Sequence, residues 1–500
     1  MKKNLFYANK YVVAGMLLLV SGCSVGPDYK RPKMDLPAAT ATTTHDAAVN
    51  KLLSEKWWMI FNDPTLDALE EMALKKSYNI QLAIASIEEA CAAAGVASAD
   101  FLPYIGLKGG GTSIEAGGGK GGEKSDGKSD SRKAKYKVEA GISYEIDFWG
   151  KYRRANEAAR ANLMASHAAK EAVTLTITSE VAKIYFSLRS LTAKLAIARR
   201  TLKIREASLK VYKSRLSSGY STELDYLRIL SEVESLKSGV LSLEEWFAKT
   251  EHALSALIGA SPNEMMTRRT ASSFILEKLK VPSDIPSGLP SNLIERRPDV
   301  AQAEGQLIAA NAQVGHLIAD NFPSFSLTGA AGSETNLLKT LFDSGTGFNM
   351  YGLELGLAVF DGGRKSAQKQ VAKARYKAAL ATYKNVVTTA FRETLDALVA
   401  NRKNSQVVAS KARQVNALKR SYEIAKIQKE GGLIGLIDLL DVERGLLASE
   451  MELAGALERQ LTAVVDLCKA LGGGWKYSTG EKKKEKLSAT SKNRLQRKSR

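Results

Sequence analysis

A thiol, a phosphate-cradle pattern and a pair of carboxylates are the groups in this sequence whose spacing could do chemistry. Val20-Ser21-Gly22-Cys23 sets small residues directly before a cysteine. That arrangement resembles a bacterial lipobox, in which a signal peptidase cuts and the thiol is acylated; Val20 departs mildly, since Leu is commoner there. Gly122-Glu-Lys-Ser-Asp-Gly127-Lys128-Ser129 satisfies the G-x-x-x-x-G-K-[ST] pattern of loops that cradle phosphates. Asp438 and Asp441 stand at i and i+3, so on a helix they share one face. Clustered carboxylates repel one another and attract cations.

The phosphate-loop match fails on context. A working loop follows a buried strand and opens a helix whose amides face the phosphate. Here Gly117-Gly-Gly-Lys-Gly-Gly precedes it and Ser129-Asp-Ser-Arg-Lys-Ala-Lys follows, and neither is apolar. Residues 108–135 read instead as an exposed loop. Cys23, Cys91 and Cys468 cannot form a disulfide framework, and neither they nor His45, His167, His252 and His316 have metal-ligand spacing. No catalytic constellation, metal site or cofactor motif is found. The net charge of +19 is uneven, with a strongly basic stretch near the C-terminus, and no nucleic-acid-binding fold accompanies it.

The N-terminus sets the compartment. Lys2, Lys3 and Lys10 precede or flank a short apolar run over 11–20, too short to span a bilayer as a helix. Residues 1–22 read as a signal peptide and Cys23 as the lipidated first residue of the mature chain. Ser24, where inner-membrane lipoproteins tend to carry Asp, favours the outer membrane. Beyond the signal no run of 18 or more apolar residues occurs, so membrane crossing is expected to use β-strands.

The elements that must position these groups come in two copies. Gly219 leads Asp225 by the same spacing as Gly432 leads Asp438. Phe148-Trp149-Gly150-Lys151 resembles Phe360-Asp361-Gly362-Gly363-Arg364, and Phe101-Leu102-Pro103 resembles Asn321-Phe322-Pro323. Three landmarks in one order imply a duplication. Each copy reads helix, hairpin, long helix, turn, shorter helix. Residues 104–261 and 324–500 contain no proline, which permits long helices. Ile177, Val181, Ile184, Leu188, Leu191 and Leu195 form an a/d seam, continued by Ala198, Leu202 and Leu209. Leu236, Val240, Leu243, Phe247, Leu254 and Leu257 repeat it, and the seam of the second copy is weaker. One helix over Lys151–Ser217 would be roughly 100 Å long, the length of a stalk or tube wall.

Before each long helix, side chains alternate. Tyr136, Val138, Ala140, Ile142, Tyr144 and Ile146 interleave with Lys137, Glu139, Gly141, Ser143, Glu145 and Asp147; Tyr351, Leu353, Leu355, Leu357 and Val359 alternate with Gly352, Glu354, Gly356 and Ala358. Partners are expected at 104–107 and 324–329. Such dyad patterning over about ten residues suits transmembrane β-strands, with Trp149 at a girdle position. Four strands cannot close a barrel, and an open edge is not tolerated in lipid, so other copies of the chain must complete it.

Several motifs together resemble the lipoprotein outer-membrane factors, the OprM/NodT branch of the TolC family that serves RND efflux systems. They are Cys23-Ser-Val-Gly-Pro-Asp-Tyr-Lys-Arg-Pro32, Trp57-Trp58-x-x-Phe61-x-Asp63-Pro64-x-Leu66 and Leu289-Pro290-Ser-Asn-Leu-Ile-Glu-Arg-Arg-Pro-Asp299-Val. Ala309-Ala-Asn-Ala-Gln-Val-Gly315, Phe322-Pro323-Ser-Phe-Ser-Leu-Thr-Gly329, Phe360-Asp-Gly-Gly-Arg364 and Ala470-Leu-Gly-Gly-Gly-Trp475 complete the set. Val359 stands where that family usually has proline, and the basic tail lies outside the pattern.

The resemblance implies a mainly α protein with transmembrane β: a homotrimer whose twelve-stranded barrel continues into a long helical periplasmic barrel. It implies an outer-membrane, lipid-anchored exit duct for drugs or other small toxic compounds, working with a periplasmic adaptor and an inner-membrane pump. The reading divides the chain into a signal peptide at 1–22, a first repeat with the lipid anchor at 23–290, a second repeat at 291–475 and a basic tail, expected to be disordered, at 476–500. Residues near 262–300 and the C-terminal segment would form an equatorial belt. Gly219, Asp225 and Gly432 would mark the periplasmic tips where the adaptor docks. Asp438 and Asp441 match the family's aperture aspartates, and three copies would make two acidic rings gating the entrance. The alternatives are the outer-membrane component of a type I protein secretion system and a structural envelope lipoprotein.

Overall fold

The computed structural model describes residues 24–35, 54, 56–115, 132–267 and 296–475. The signal peptide, Cys23, the phosphate-loop-like stretch, the basic tail and most of 262–300 lie outside the described residues.

A 3-10 turn at Trp57–Phe61 leads into α1 (Pro64–Lys76) and α2 (Tyr78–Ala99). Then come β1 (Tyr104–Glu115), β2 (Arg132–Ile146), α3 (Lys151–Ser217), α4 (Glu223–Leu257) and the short α5 (Pro262–Thr267). The series repeats as α6 (Pro298–Ala319), β3 (Ser324–Thr335), β4 (Gly347–Gly356), α7 (Arg364–Glu430) and α8 (Leu436–Ala470). Apart from β2 and β4, of 15 and 10 residues, these corresponding elements agree in length: 22 residues in α2 and α6, 12 in β1 and β3, 67 in α3 and α7, 35 in α4 and α8. The duplication is therefore structural, and each long helix runs unbroken.

The strand limits differ from those expected. Of the expected loop 108–135, residues 108–115 belong to β1 and 132–135 to β2, with Gly109, Gly110 and Gly111 paired with Val138, Lys137 and Tyr136. Pairing with a strongly β-prone neighbour overrides their own weak propensity. β4 stops at Gly356, so Leu357 and Val359 lie beyond it. Gly356 is the partner of Ser324, and the next residue on the opposite strand, Pro323, has no N–H to continue the ladder.

The chain forms two compact units, and each repeat contributes to both. The first holds the described residues up to Lys33, Glu88–Ala165 and Glu304–Thr382. Its centre is a single antiparallel sheet in the order β1-β2-β3-β4.

The second unit packs helix on helix. Its core gathers Trp57, Trp58, Phe61 and Leu66 with Val181, Phe186, Leu461, Val464 and Leu467. The α3 seam is buried at Ile177, Val181, Leu188, Leu191, Leu195 and Ala198, as the heptad spacing required. In α4, Val240 and Leu254 are buried, and Ile229 and Val233 extend the stripe toward the α3–α4 turn. The buried positions of α7 are smaller, such as Ala390, Ala397 and Ala425, which accounts for the weaker pattern there.

By length and composition α2 could cross a membrane. Asn79, Gln81, Glu88 and Glu89 interrupt its apolar residues, so no unbroken run signals it. Tyr78, Leu82, Ile84 and Val96 on this helix are exposed in the single chain.

Candidate functional site

In the first unit, strand register sorts side chains onto two faces. Ile142 lies opposite Ile105 and Gly329, Gly329 opposite Tyr351, and Tyr144 opposite Leu327, which faces Leu353. With Leu107, Phe325 and Leu355 they make one apolar face, largely exposed in the lone chain. The other face carries Lys137, Glu139, Glu145, Glu334 and Glu354. There Lys137 pairs with Glu139 at 2.6 Å and Lys135 with Glu334 at 2.7 Å. A sheet that is apolar on one face and charged on the other suits lipid outside and water inside.

Aromatic rings lie where the strands end. Trp149 stacks on Phe322 at 4.7 Å and donates its indole N–H to Pro323 O at 2.8 Å. Phe148 lies 6.0 Å from Phe325. Aspartates cap the helices that follow. Asp147 accepts from the N–H groups of Tyr152 (3.1 Å) and Arg153 (2.9 Å), and Asp361 from those of Gly363 (2.9 Å) and Lys365 (2.8 Å). These backbone bonds draw the Asp361 carboxyl below its usual range, the one from Lys365 most.

The residues after Cys23 are strapped to this unit. Val25 N–H donates to Trp149 O at 3.1 Å. Buried Arg154 pairs with Asp28 at 2.6 Å and Glu157 at 2.7 Å. Arg31 grips Glu304 through two bonds, 2.9 and 2.6 Å, and Asn311 donates to Pro27 O at 2.8 Å. Gly26, at φ +108°, passes so close to Gly315 that a Cβ would come within 2.6 Å of its Cα. The Gly-Pro-Asp-Tyr stretch and the Asn-Ala-Gln-Val-Gly stretch are thus two sides of one contact.

The second unit contains the two turns singled out by sequence. Gly219 and Gly432 both adopt positive φ, +76° and +73°. At each, a backbone N–H closes the end of the long helix: Tyr220 to Arg215 O, and Leu433 to Gln428 O, both 2.8 Å. Thr222 caps α4 by accepting from Asp225 N–H at 3.2 Å. Gly435 has no side chain to cap α8, and Asp438 reaches back to its N–H at 2.9 Å. Asp225 and Asp438 thus share a helical position but bond differently. Asp441 faces Arg444 at 3.5 Å, and Arg444 also bonds Glu232 across to α4. Asp438 and Asp441 are exposed, and so are Tyr220 (85%) and Leu433 (77%) beside them.

Charge pairs behind the turns were not legible in the sequence. Arg205 and Glu443 are both buried and pair at 2.7 Å. Burial pushes the Glu443 carboxyl up despite that arginine. Glu232 is held below its usual range, chiefly by the Arg444 hydrogen bond. Further along, Tyr185 donates to Asp63 at 2.6 Å and accepts from Arg189 at 2.8 Å. Arg297, also buried, bonds Asp299 and Glu393, both at 2.7 Å. The Asp441–Arg444 and Tyr185–Arg189 spacings could have been read along one helix and Arg297–Asp299 along the chain, but the partners Asp63, Glu232, Glu393 and Glu443 are far from their arginines in sequence. Among the described residues no cluster of His, Cys, Asp or Glu could hold a metal ion.

Comparison with known proteins agrees with this architecture. A family model described as outer membrane efflux protein matches the chain twice, over residues 69–260 and 289–473. The outer membrane protein OprJ of Pseudomonas aeruginosa is 31% identical over 486 residues, covering 95% of this chain and 97% of OprJ. The probable outer membrane lipoprotein SilC of Salmonella typhimurium is 29% identical over 472 residues, covering 93% and 99%. The crystal structure of the Campylobacter jejuni CmeC outer membrane channel superposes with a TM-score of 0.85 at 24% identity, covering 93% of this chain and 98% of that one, and so shares the fold. With its two matched segments spanning most of the sequence, the chain belongs to the outer membrane efflux protein family.

Proposed function

We propose that this outer membrane efflux protein works as a homotrimeric, passive exit duct of a tripartite pump. Each copy contributes four strands to a twelve-stranded barrel and four long helices to a tube in the periplasm. An inner-membrane RND pump supplies the energy, and a periplasmic adaptor joins that pump to the helical tips around Gly219, Asp225 and Gly432. Asp438 and Asp441 form acidic rings that narrow the entrance. Cys23, acylated, fixes the chain to the outer membrane. The chain itself performs no chemical step, needs no cofactor and carries small toxic compounds, drugs among them.

The observation that carries this reading is the two-faced sheet with open edges. Strands β1 and β4 each have one neighbour, and the apolar face beside them is exposed. Lipid does not tolerate unpaired backbone, so those edges demand partners. A second copy supplies matching edges, and rotation by a third of a turn closes the ring. The exposed apolar side chains of α2 fit the same assembly. The mass of the detergent-extracted particle tests it: three copies are expected, and a stable monomer would overturn the reading.

A further inference from the structure

The apolar face of the sheet is not even. Ala140, Gly329 and Ala331 form a floor of small residues, and Tyr144, Leu327 and Tyr351 rise around it to bound a groove of about 670 Å³. A Cβ added at Gly329 would come within 3.0 Å of Ile142 Cγ2, so the floor is held low by close packing. Among the described residues no charged side chain lines the groove, and the polar side-chain groups on its face are the hydroxyls of Tyr144 and Tyr351. The lining therefore suits a bare hydrocarbon chain and offers nothing to a charged headgroup.

The start of the described chain lies in the same unit. Ser24 is pressed against Gly150, where a Cβ would meet its Oγ at 2.9 Å. Val25 is tied to Trp149 O. From Trp149 to Tyr144, on the wall of the groove, is at most about 18 Å of extended chain. Between them Phe148 leans on Phe325, which precedes Leu327 by two residues on the same face. The chain is thus fixed from Ser24 on, one position after the residue that would carry a fatty acyl chain.

We infer that an acyl chain carried by Cys23 lies in this groove, along the strands, instead of dispersing among the lipids. The inference rests on the reading of Cys23 as acylated. Tethering raises the local concentration of that chain far above that of any free lipid tail, which favours it as the occupant. The acyl chain then serves as packing for the sheet as well as an anchor.

The full-length protein, produced in the envelope of a Gram-negative host fed a diazirine-bearing palmitate, is purified, irradiated and mapped by mass spectrometry. Intact mass reports acylation separately from its location. The expected result is an acylated protein whose N-terminal peptide is joined to the peptides containing Ala140–Tyr144 and Leu327–Ala331. Ala331→Phe, which fills the floor, abolishes those adducts, whereas Leu353→Phe, on the same face outside the groove, keeps them. If Ala331→Phe does not assemble, the wild-type adduct map decides alone. Acylated protein with adducts spread evenly over the apolar face overturns the groove and leaves the anchor standing. Groove peptides joined only to phospholipid overturn the choice of occupant. An unmodified Cys23 overturns the anchor and this inference together.

Discussion

The carboxylate of Asp438 accepts the backbone N–H of Gly435 at 2.9 Å, so the first member of the acidic pair also caps α8. Asp441, one turn further on, faces Arg444 instead. The two aspartates share a face but carry different local duties, and substitutions can separate them.

Asp438→Ala removes both charge and cap and is expected to cost about 1 kcal/mol, whereas Asp438→Asn keeps an acceptor and costs less. Asp438→Asn with Asp441→Asn is expected to lower cation preference in a planar bilayer with little change in thermal midpoint. Unchanged conductance and ion preference in the double variant would remove the gating role from both residues.

Glu70 is fully buried, and neither carboxylate oxygen has a hydrogen-bond partner among the described residues. Burial, and then the nearby Asp67, raises its pKa well above the usual range. A raised carboxyl pKa means the folded state binds the proton more tightly than the unfolded one. Its contribution is most favourable below the unfolded value, about 4.3, and declines as pH rises toward the folded value. Glu70→Leu is therefore expected to stabilise the protein at pH 8 by about 1–3 kcal/mol, with the gain shrinking toward pH 4. Thermal unfolding across that range checks it; a destabilised variant at pH 8 would show that Glu70 has a partner it needs.

Gly26→Ala is expected to free the N-terminal strap. The position has φ +108° and no room beside Gly315. Left-handed strain alone costs about 1–3 kcal/mol. Limited tryptic digestion reads the outcome as faster cleavage after Lys30 and Lys33, while Gly110→Ala, which meets nothing, serves as the control.

Leu353→Lys places a charge on the apolar face and is expected to cost about 2–4 kcal/mol if that face meets mid-bilayer lipid. Thr328→Lys, on the opposite face, is expected to assemble normally and shift ion selectivity. Equal tolerance of both substitutions would argue that neither face contacts lipid.

Much of this architecture is legible because it repeats. The 4,3 spacing from Ile177 to Leu195 announces a packed seam, and the alternation from Tyr136 to Ile146 announces a two-faced strand. Gly219 and Gly432 announce turns because only glycine takes their backbone without strain. Sequence fails where a partner decides the outcome. Gly109, Gly110 and Gly111 look like loop until β2 pairs with them. Arg189, Arg205 and Arg297 look like surface charges until their distant carboxylates are in place. Asp438 is visible as a charge, but its capping role depends on Gly435 lacking a side chain.

This chain is expected to form a conducting pore, and single-channel recording of the purified protein in a planar bilayer tests that expectation. Discrete, uniform openings from a three-copy particle are predicted. A three-copy particle that never conducts would rule out the pore and leave the long helices as a scaffold.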